Sequence, residues 1–401
     1  MEQIYTVSAF WLGLAIIAAI LAYYLRTSVS LLEICIGVFV AAIASHLGKF
    51  DLLGTDIQWL KFLGSAGAIL LTFLAGAELD PIVMKKKIKE VLLIGLIGFI
   101  APFLGCFLLA NYALGWSIQA SLLCGVALST TSVAVVYAVL LGTGLNKTDY
   151  GKGILGACFV NDLATVVALG LLFSPFSYRT LIFIAATVVA LVCLPLLTKW
   201  LTRAYANRSA AIRTKWILFI LFGLGALAVW ADSEAVLPAY LVGTVLAGSA
   251  ARDTNWIRRL RTLTIGFLTP FYFLRAGMLV SISSIFFAPT IFLVLLAGKV
   301  ISKIFGIYPV IGIFQKNSKE KWYYTLMMST GLTFGTISAL YGLSNNIISQ
   351  TQYSYIVAAV IASAVVPTLI AGYSFFPRHL LPEEAIGGKI HVHEDDLLEE
   401  G

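Results

Sequence analysis

The sequence predicts an all-α polytopic membrane protein, and three observations predict it. Of its 401 residues, 60% are hydrophobic and only 12% charged, which lies outside the range of soluble globular domains. The apolar residues gather into about thirteen stretches long enough to span a bilayer, centred near Ile16, Val38, Ala68, Ile97, Val126, Ala164, Val188, Leu221, Leu241, Phe271, Leu296, Leu332 and Ala362. No alternating β pattern competes with them.

Taken in order, the first stretch follows Glu2 rather than a basic segment, and no small-residue cleavage site comes after it, so it reads as a retained helix. Arg26 follows span one; Lys85, Lys86, Lys87 and Lys89 follow span three; Lys147 and Lys152 follow span five. Lys199, Arg203, Arg208, Arg213 and Lys215 follow span seven, Arg252, Arg258, Arg259 and Arg261 span nine, and Lys316, Lys319 and Lys321 span eleven. The opposite loops hold almost no positive charge apart from Lys49, Lys61 and Arg179 near helix ends. Basic residues in short loops stay on the cytoplasmic side. The alternation therefore places the N-terminus outside and the C-terminus inside, with an odd number of crossings. It also accounts for the net charge of +7 without a nucleic-acid partner, membrane lipid being the surroundings.

Residues 1–377 read as one transmembrane domain and 378–401 as a short acidic cytoplasmic tail, polar enough to be disordered. His391 and His393 in that tail have no further ligands nearby, so a flexible segment is expected rather than a metal site. Cys35, Cys106, Cys124, Cys158 and Cys193 fall inside spans without paired spacing and read as small packing residues.

Two spans carry polar interruptions, LSTTSVAVV around Ser129 to Ser132 and STGLTFGTIS around Ser329 to Ser338. Unwound backbone at membrane depth survives only where it is buried in protein or lines a watery cavity. The Ser-Thr pairs lie 200 residues apart (329 − 129), with seven spans from one to the other, so the two run in opposite directions. An inverted repeat is expected, spans four to six matching spans eleven to thirteen. Taken singly, each motif also fits hydroxyls bonded to the preceding turn of an ordinary helix.

Asp162, beside Asn161, sits about twelve residues into an apolar run, which at about 1.5 Å per residue is close to the bilayer midplane. A carboxylate there costs a few kcal/mol, so it is expected to line a polar cavity or ion path. The offset of 200 lands on Ala362, leaving an acid in one half of the repeat only. Lys299 and Arg275 are the other deep charges, expected to face inward and compensate charge. Lys303 reads as an anchor reaching the cytoplasmic interface. Glu33, Glu78 and Asp80 lie near cytoplasmic ends reachable from water, and Asp232 and Glu234 in an outer loop.

Together these residues resemble the monovalent cation/proton antiporters, in particular the branch of the Kef-type and NapA-type transporters within the sodium/hydrogen exchanger superfamily. The resemblance is carried by FLAGAELD (73 to 80), STTSVAVV (129 to 136), Asn161-Asp162, TPFYFLRAGM (269 to 278), Lys299 and STGLTFGTIS, and covers the chain to about Arg378. It implies a homodimer in a bacterial or archaeal inner membrane. Each subunit would have a dimerisation domain and a mobile elevator core, in which two broken helices cross near the ion-binding aspartate. Asp162 resembles that aspartate. An Asn-Asp pair implies electroneutral, one-for-one exchange, while Lys299 is retained without its usual first carboxylate and is expected to pair with Asp162 when no cation is bound.

The mechanism expected from these residues is competition of a proton and an alkali cation for Asp162, since a protonated acid loses its charge and one acceptor position. Thr130, Thr131 and Ser132, with Asn161, can add the oxygen ligands that hard cations take. Sodium is the favoured ion and potassium the alternative, followed by a cation channel or a sodium-coupled organic-solute symporter of the same architecture. No nucleophile, base and acid set, phosphate loop or metal cluster points to an enzyme or a cofactor.

Overall fold

In hydrocarbon a backbone has only itself to bond to, and apolar runs separated by short polar turns answer that with helices. The computed structural model describes every residue except 1, 26–27, 78–85, 174–177, 206–210, 232–234, 251–253, 282, 284–286 and 382–401. Among the described residues there is no strand. The helices are α1 (Glu2–Leu25), α2 (Val29–His46), α3 (Gln58–Ala77), α4 (Ile88–Leu108), α5 (Ile118–Ser129), α6 (Val133–Thr143), α7 (Asp149–Phe173) and α8 (Tyr178–Tyr205). They continue as α9 (Ile212–Trp230), α10 (Val236–Ala250), α11 (Thr254–Leu263), α12 (Thr269–Met278), α13 (Pro289–Phe314), α14 (Ser318–Met328), α15 (Thr333–Ser344) and α16 (Gln350–Ser374).

Ten helical segments among the described residues are long and apolar enough to cross a membrane, and the chain is an integral membrane protein. The expected span near Val126 falls on the half-helices α5 and α6, that near Leu241 on the shorter α10, and that near Phe271 on α12, which continues α11 through a π-helical turn at Thr264–Leu268. Local chemistry sets several of the ends. Ser117 caps α5 by accepting from the Ala120 N–H at 3.3 Å. Ser349 and Gln352 form a reciprocal capping box on α16, at 3.2 and 2.9 Å.

The helix boundaries repeat. Helices α4 to α7 begin at 88, 118, 133 and 149, and α13 to α16 at 289, 318, 333 and 350, offsets of 201, 200, 200 and 201. A side chain at Gly335 would meet the Ala127 carbonyl and one at Gly342 the Leu123 side chain, so α15 runs antiparallel to α5. Since α14 and α5 are counterparts, the two halves are inverted. The sequence offset of 200 needs one correction: α15 is one residue longer than α6, so the counterpart of Asp162 is Ser363, not Ala362.

The repeat bundle has its own core, in which Ile94, Val136, Ile154, Ile307, Tyr324 and Met328 pack together. A second core unites α3 with α8 to α11 through Ile69, Phe73, Leu221, Val242, Leu246 and Trp256. Its axis is the contact of α3 with α10. A Cβ on Gly76 would strike the Tyr240 carbonyl and one on Gly243 the Phe73 carbonyl, so only glycine permits this backbone approach.

The tail differs from expectation at its start. Arg378–Leu380 forms a 3-10 turn, and Phe375 and Phe376 pack on Trp322 and Tyr323 of α14. His379 Nε2 meets Glu320 Oε1 at 2.6 Å. His391 and His393, like Arg26, Glu78, Asp80, Lys85, Arg208, Asp232, Glu234 and Arg252, lie outside the described residues.

Candidate functional site

Both interruptions are breaks, at 130–132 between α5 and α6 and at 329–332 between α14 and α15. The remainder of the second motif, 333 to 338, is helical. A break leaves carbonyls unpaired at one half-helix and N–H groups at the next. The hydroxyl residues answer much of that need locally. Ser129 Oγ donates to the Val126 carbonyl at 2.8 Å, Thr130 Oγ1 to Ala127 at 3.1 Å, and Thr330 Oγ1 to Met327 at 2.8 Å. Ser132 Oγ caps α6 by accepting from the Val135 N–H at 3.3 Å.

Other bonds join the two breaks directly. Thr131 Oγ1 donates to the Met328 carbonyl at 2.9 Å, and the Ser132 N–H donates to Thr330 Oγ1 at 3.4 Å. The breaks therefore meet, and four half-helix ends converge. The N-termini of α6 and α15 bring partial positive charge, and the C-termini of α5 and α14 partial negative charge.

Asp162 and Asn161 sit mid-way along α7, 2% and 0% exposed. Asn161 Nδ2 reaches the Gly95 carbonyl at 3.5 Å. Asp162 Oδ1 and Asn161 Oδ1 are both buried without a hydrogen-bond partner among the described residues. The Met328 side chain links this pair to the crossing. Its sulfur lies 3.6 Å from Cys158 Sγ, one turn before Asp162, and its methyl shares with Asn161 Nδ2 the space a side chain on Gly98 would take.

Two buried lysines lie at this crossing where the sequence suggested one. Helix α13 buries Leu295, Lys299, Lys303, Ile307 and Ile311, a stripe at every fourth residue. Lys303 is thus no interfacial anchor. It is fully buried, and its Nζ donates to Thr131 Oγ1 at 2.8 Å. Its ammonium also lies within electrostatic range of the Asp162 carboxylate. Lys299 is equally buried, but among the described residues its Nζ has no hydrogen-bond partner and no ion pair joins it to Asp162. It fills the space a side chain on Gly331 would occupy, with Thr130 Oγ1 and Ser363 Oγ beside the same point.

Arg275 is not mid-helix. It lies in the last turn of α12, and its Nε donates at 2.9 Å to the carbonyl of Thr55, in the loop joining α2 to α3. Glu33, expected to be reachable from water, is 2% exposed within the protein, and its Oε2 has no hydrogen-bond partner among the described residues. Helix α2 places it on the face turned toward Ile34 and Gly37, where α12 packs. Of the expected site residues, Thr130, Thr131, Ser132 and Lys299 gather at the crossing, and Asn161 and Asp162 adjoin it through Met328.

Comparison with known proteins agrees with this architecture. The sequence profile described as "Sodium/hydrogen exchanger, transmembrane" matches residues 12–377. The chain is 30% identical over 241 residues to a probable Na(+)/H(+) antiporter 3 of Methanocaldococcus jannaschii, covering 57% of this chain and 61% of that protein. It is 26% identical over 332 residues to a Na(+)/H(+) antiporter of Enterococcus hirae, covering 77% and 82%. The structure of the sodium proton antiporter MjNhaP1 from Methanocaldococcus jannaschii superposes with a TM-score of 0.68 at 17% identity, over 93% of this chain and 97% of that one. That last likeness concerns the fold.

Proposed function

We propose that this chain, which belongs to the transmembrane sodium/hydrogen exchanger family, exchanges a monovalent cation for protons at Asp162. The observation that carries the reading is the pair of buried, unpartnered oxygens on consecutive residues, Asp162 Oδ1 and Asn161 Oδ1, next to two crossing helix breaks. Buried acceptors are nearly always satisfied, and an oxygen-seeking cation or a proton satisfies these. Thr130, Thr131 and Ser132 add oxygens at the same crossing, as such a cation requires.

The cycle uses one negative charge. Asp162 takes either a proton or a cation, and each neutralises it. Lys303, through its electrostatic reach to Asp162, holds compensating charge when neither is bound. Lys299 stands at the second break, beside Thr130 and Ser363. The inverted halves supply two related arrangements of the same bundle, and alternation between them carries Asp162 from one face to the other. Sodium is the ion we assign, with one-for-one stoichiometry. The subunit works as a homodimer, with its N-terminus outside.

Reconstitution tests this. A pH gradient should drive uphill sodium movement in proteoliposomes, with a rate insensitive to membrane potential, and Asp162→Asn should abolish it. Exchange retained by that variant overturns the assignment of Asp162. A rate that follows the membrane potential overturns the stoichiometry alone, and a series of alkali cations fixes the ion.

A further inference from the structure

Two tyrosines tie the repeat bundle to the rest of the protein, and neither is used by the ion site. Tyr240, on α10, is fully buried, and its hydroxyl donates at 3.0 Å to the carbonyl of Phe159 on α7, three residues before Asp162. Its ring meets Phe334 of α15 edge-on, centroids 6.1 Å apart. One side chain thus touches both helices that bring the acid and the second break together. The base it projects from is rigid, because α10 is locked to α3 by the contact of Gly76 with Gly243. Tyr353 makes the reciprocal link. Fully buried on α16, it donates at 2.7 Å to the carbonyl of Ala276 on α12. The neighbouring Ser354 Oγ accepts from the Ser281 N–H at 2.8 Å.

Both tyrosines sit in the first turns of their helices, the fifth residue of α10 and the fourth of α16. Those helices start on the side opposite the lysine- and arginine-rich turns. Each hydroxyl bonds to a backbone carbonyl, so a shift of the bundle along α10 and α12 by even a fraction of a helical turn breaks both bonds without altering the tyrosines' own helices.

We propose that Tyr240 and Tyr353 are positioning residues, paired latches whose hydroxyls hold the repeat bundle in register against α10 and α12, Tyr240 within one turn of Asp162, and whose release lets the bundle shift and open the side away from the basic turns to Asp162. The proposal rests on the exchange reading above, because alternation is what requires a releasable latch. A neutral hydrogen bond is worth about a fivefold change in such an equilibrium, enough to bias it yet weak enough to break in every cycle. Tyrosine suits the task because phenylalanine can replace it with the ring packing intact and only the donor removed.

The test uses Tyr240→Phe, Tyr353→Phe and the double variant in the full chain, with the five native cysteines replaced and Thr165→Cys as reporter. Thr165 is 1% exposed, one turn beyond Asn161 on α7. Labelling by a membrane-impermeant thiol reagent from the side opposite the basic turns should rise about fivefold in each single variant and further in the double. In the same variants with native Thr165, the apparent KM for sodium on that side should fall while turnover changes separately. Thermal unfolding in detergent checks that the variants fold. Unchanged labelling together with unchanged KM and turnover, in the singles and the double, overturns the latch. Should labelling rise while Asp162→Asn still exchanges, the latch stands and only the assignment of the exchange to Asp162 falls.

Discussion

The Lys303 ammonium donates to the Thr131 hydroxyl at 2.8 Å, and that hydroxyl donates onward to the Met328 carbonyl at 2.9 Å. A single chain of donors therefore runs from the middle of α13, through the first helix break, to the end of the half-helix that precedes the second. Lys303 thus ties the crossing together, and in the proposed cycle its charge compensates Asp162.

Lys303→Ala should accordingly damage exchange more than Lys299→Ala. A hydrogen bond from a charged group is worth about 1.5–3 kcal/mol, so detergent-solubilised Lys303→Ala should unfold at a visibly lower temperature. Loss of a positive charge near a carboxylate favours its protonated form, which should move the pH profile of exchange to higher pH. A larger displacement in Lys299→Ala would reverse the two roles.

Much of this site was legible in the sequence, for identifiable reasons. An acid within an apolar run has no inexpensive place to sit, so Asp162 stood out, and the matched Ser-Thr pairs marked both breaks and the repeat that relates them. Lys303 did not stand out. Helix α13 is apolar all round, so periodicity could not separate its protein-facing stripe from its lipid-facing sides, and only the four-residue spacing from Lys299 hinted that both lysines share one face. Glu33 misled for a similar reason: closeness to a helix end gives depth, not which neighbour covers the side chain. Tyr240 carries no sequence signal, because its role depends on a carbonyl 81 residues away.

Arg275→Ala should cost stability and leave the pH profile of exchange unchanged. The guanidinium is engaged with the Thr55 carbonyl rather than with the acid, so its removal frees the loop between α2 and α3 and costs about 1.5–3 kcal/mol. Thermal unfolding and pH-dependent flux on the same preparation separate the outcomes. A displaced pH profile would return Arg275 to the charge balance of Asp162.

Gly243→Ala should destabilise through backbone collision. Its new Cβ would meet the Phe73 carbonyl and the Ala77 nitrogen, and neither can rotate away as a side chain could. Helices α3 and α10 must separate, at a cost of about 1–3 kcal/mol typical of overpacking. The measurement is thermal unfolding in detergent, and a variant as stable as the parent would mean that α3 and α10 yield without loss.

Gly331→Ala tests where Lys299 rests. A Cβ at this position would fall on the Lys299 Nζ, with Thr130 Oγ1 at 3.1 Å and Ser363 Oγ at 3.3 Å closing off the remaining space. The amine must therefore move, although it is fully buried. Gly331→Ala alone should lower stability by about 1–3 kcal/mol. If the collision is the cause, Lys299→Ala should recover most of that loss when combined with it, because the flexible side chain that blocked the site is gone. Residues in direct contact couple by about 0.5–3 kcal/mol in such a cycle, whereas independent sites add. Additive losses would place the Lys299 amine away from the second break.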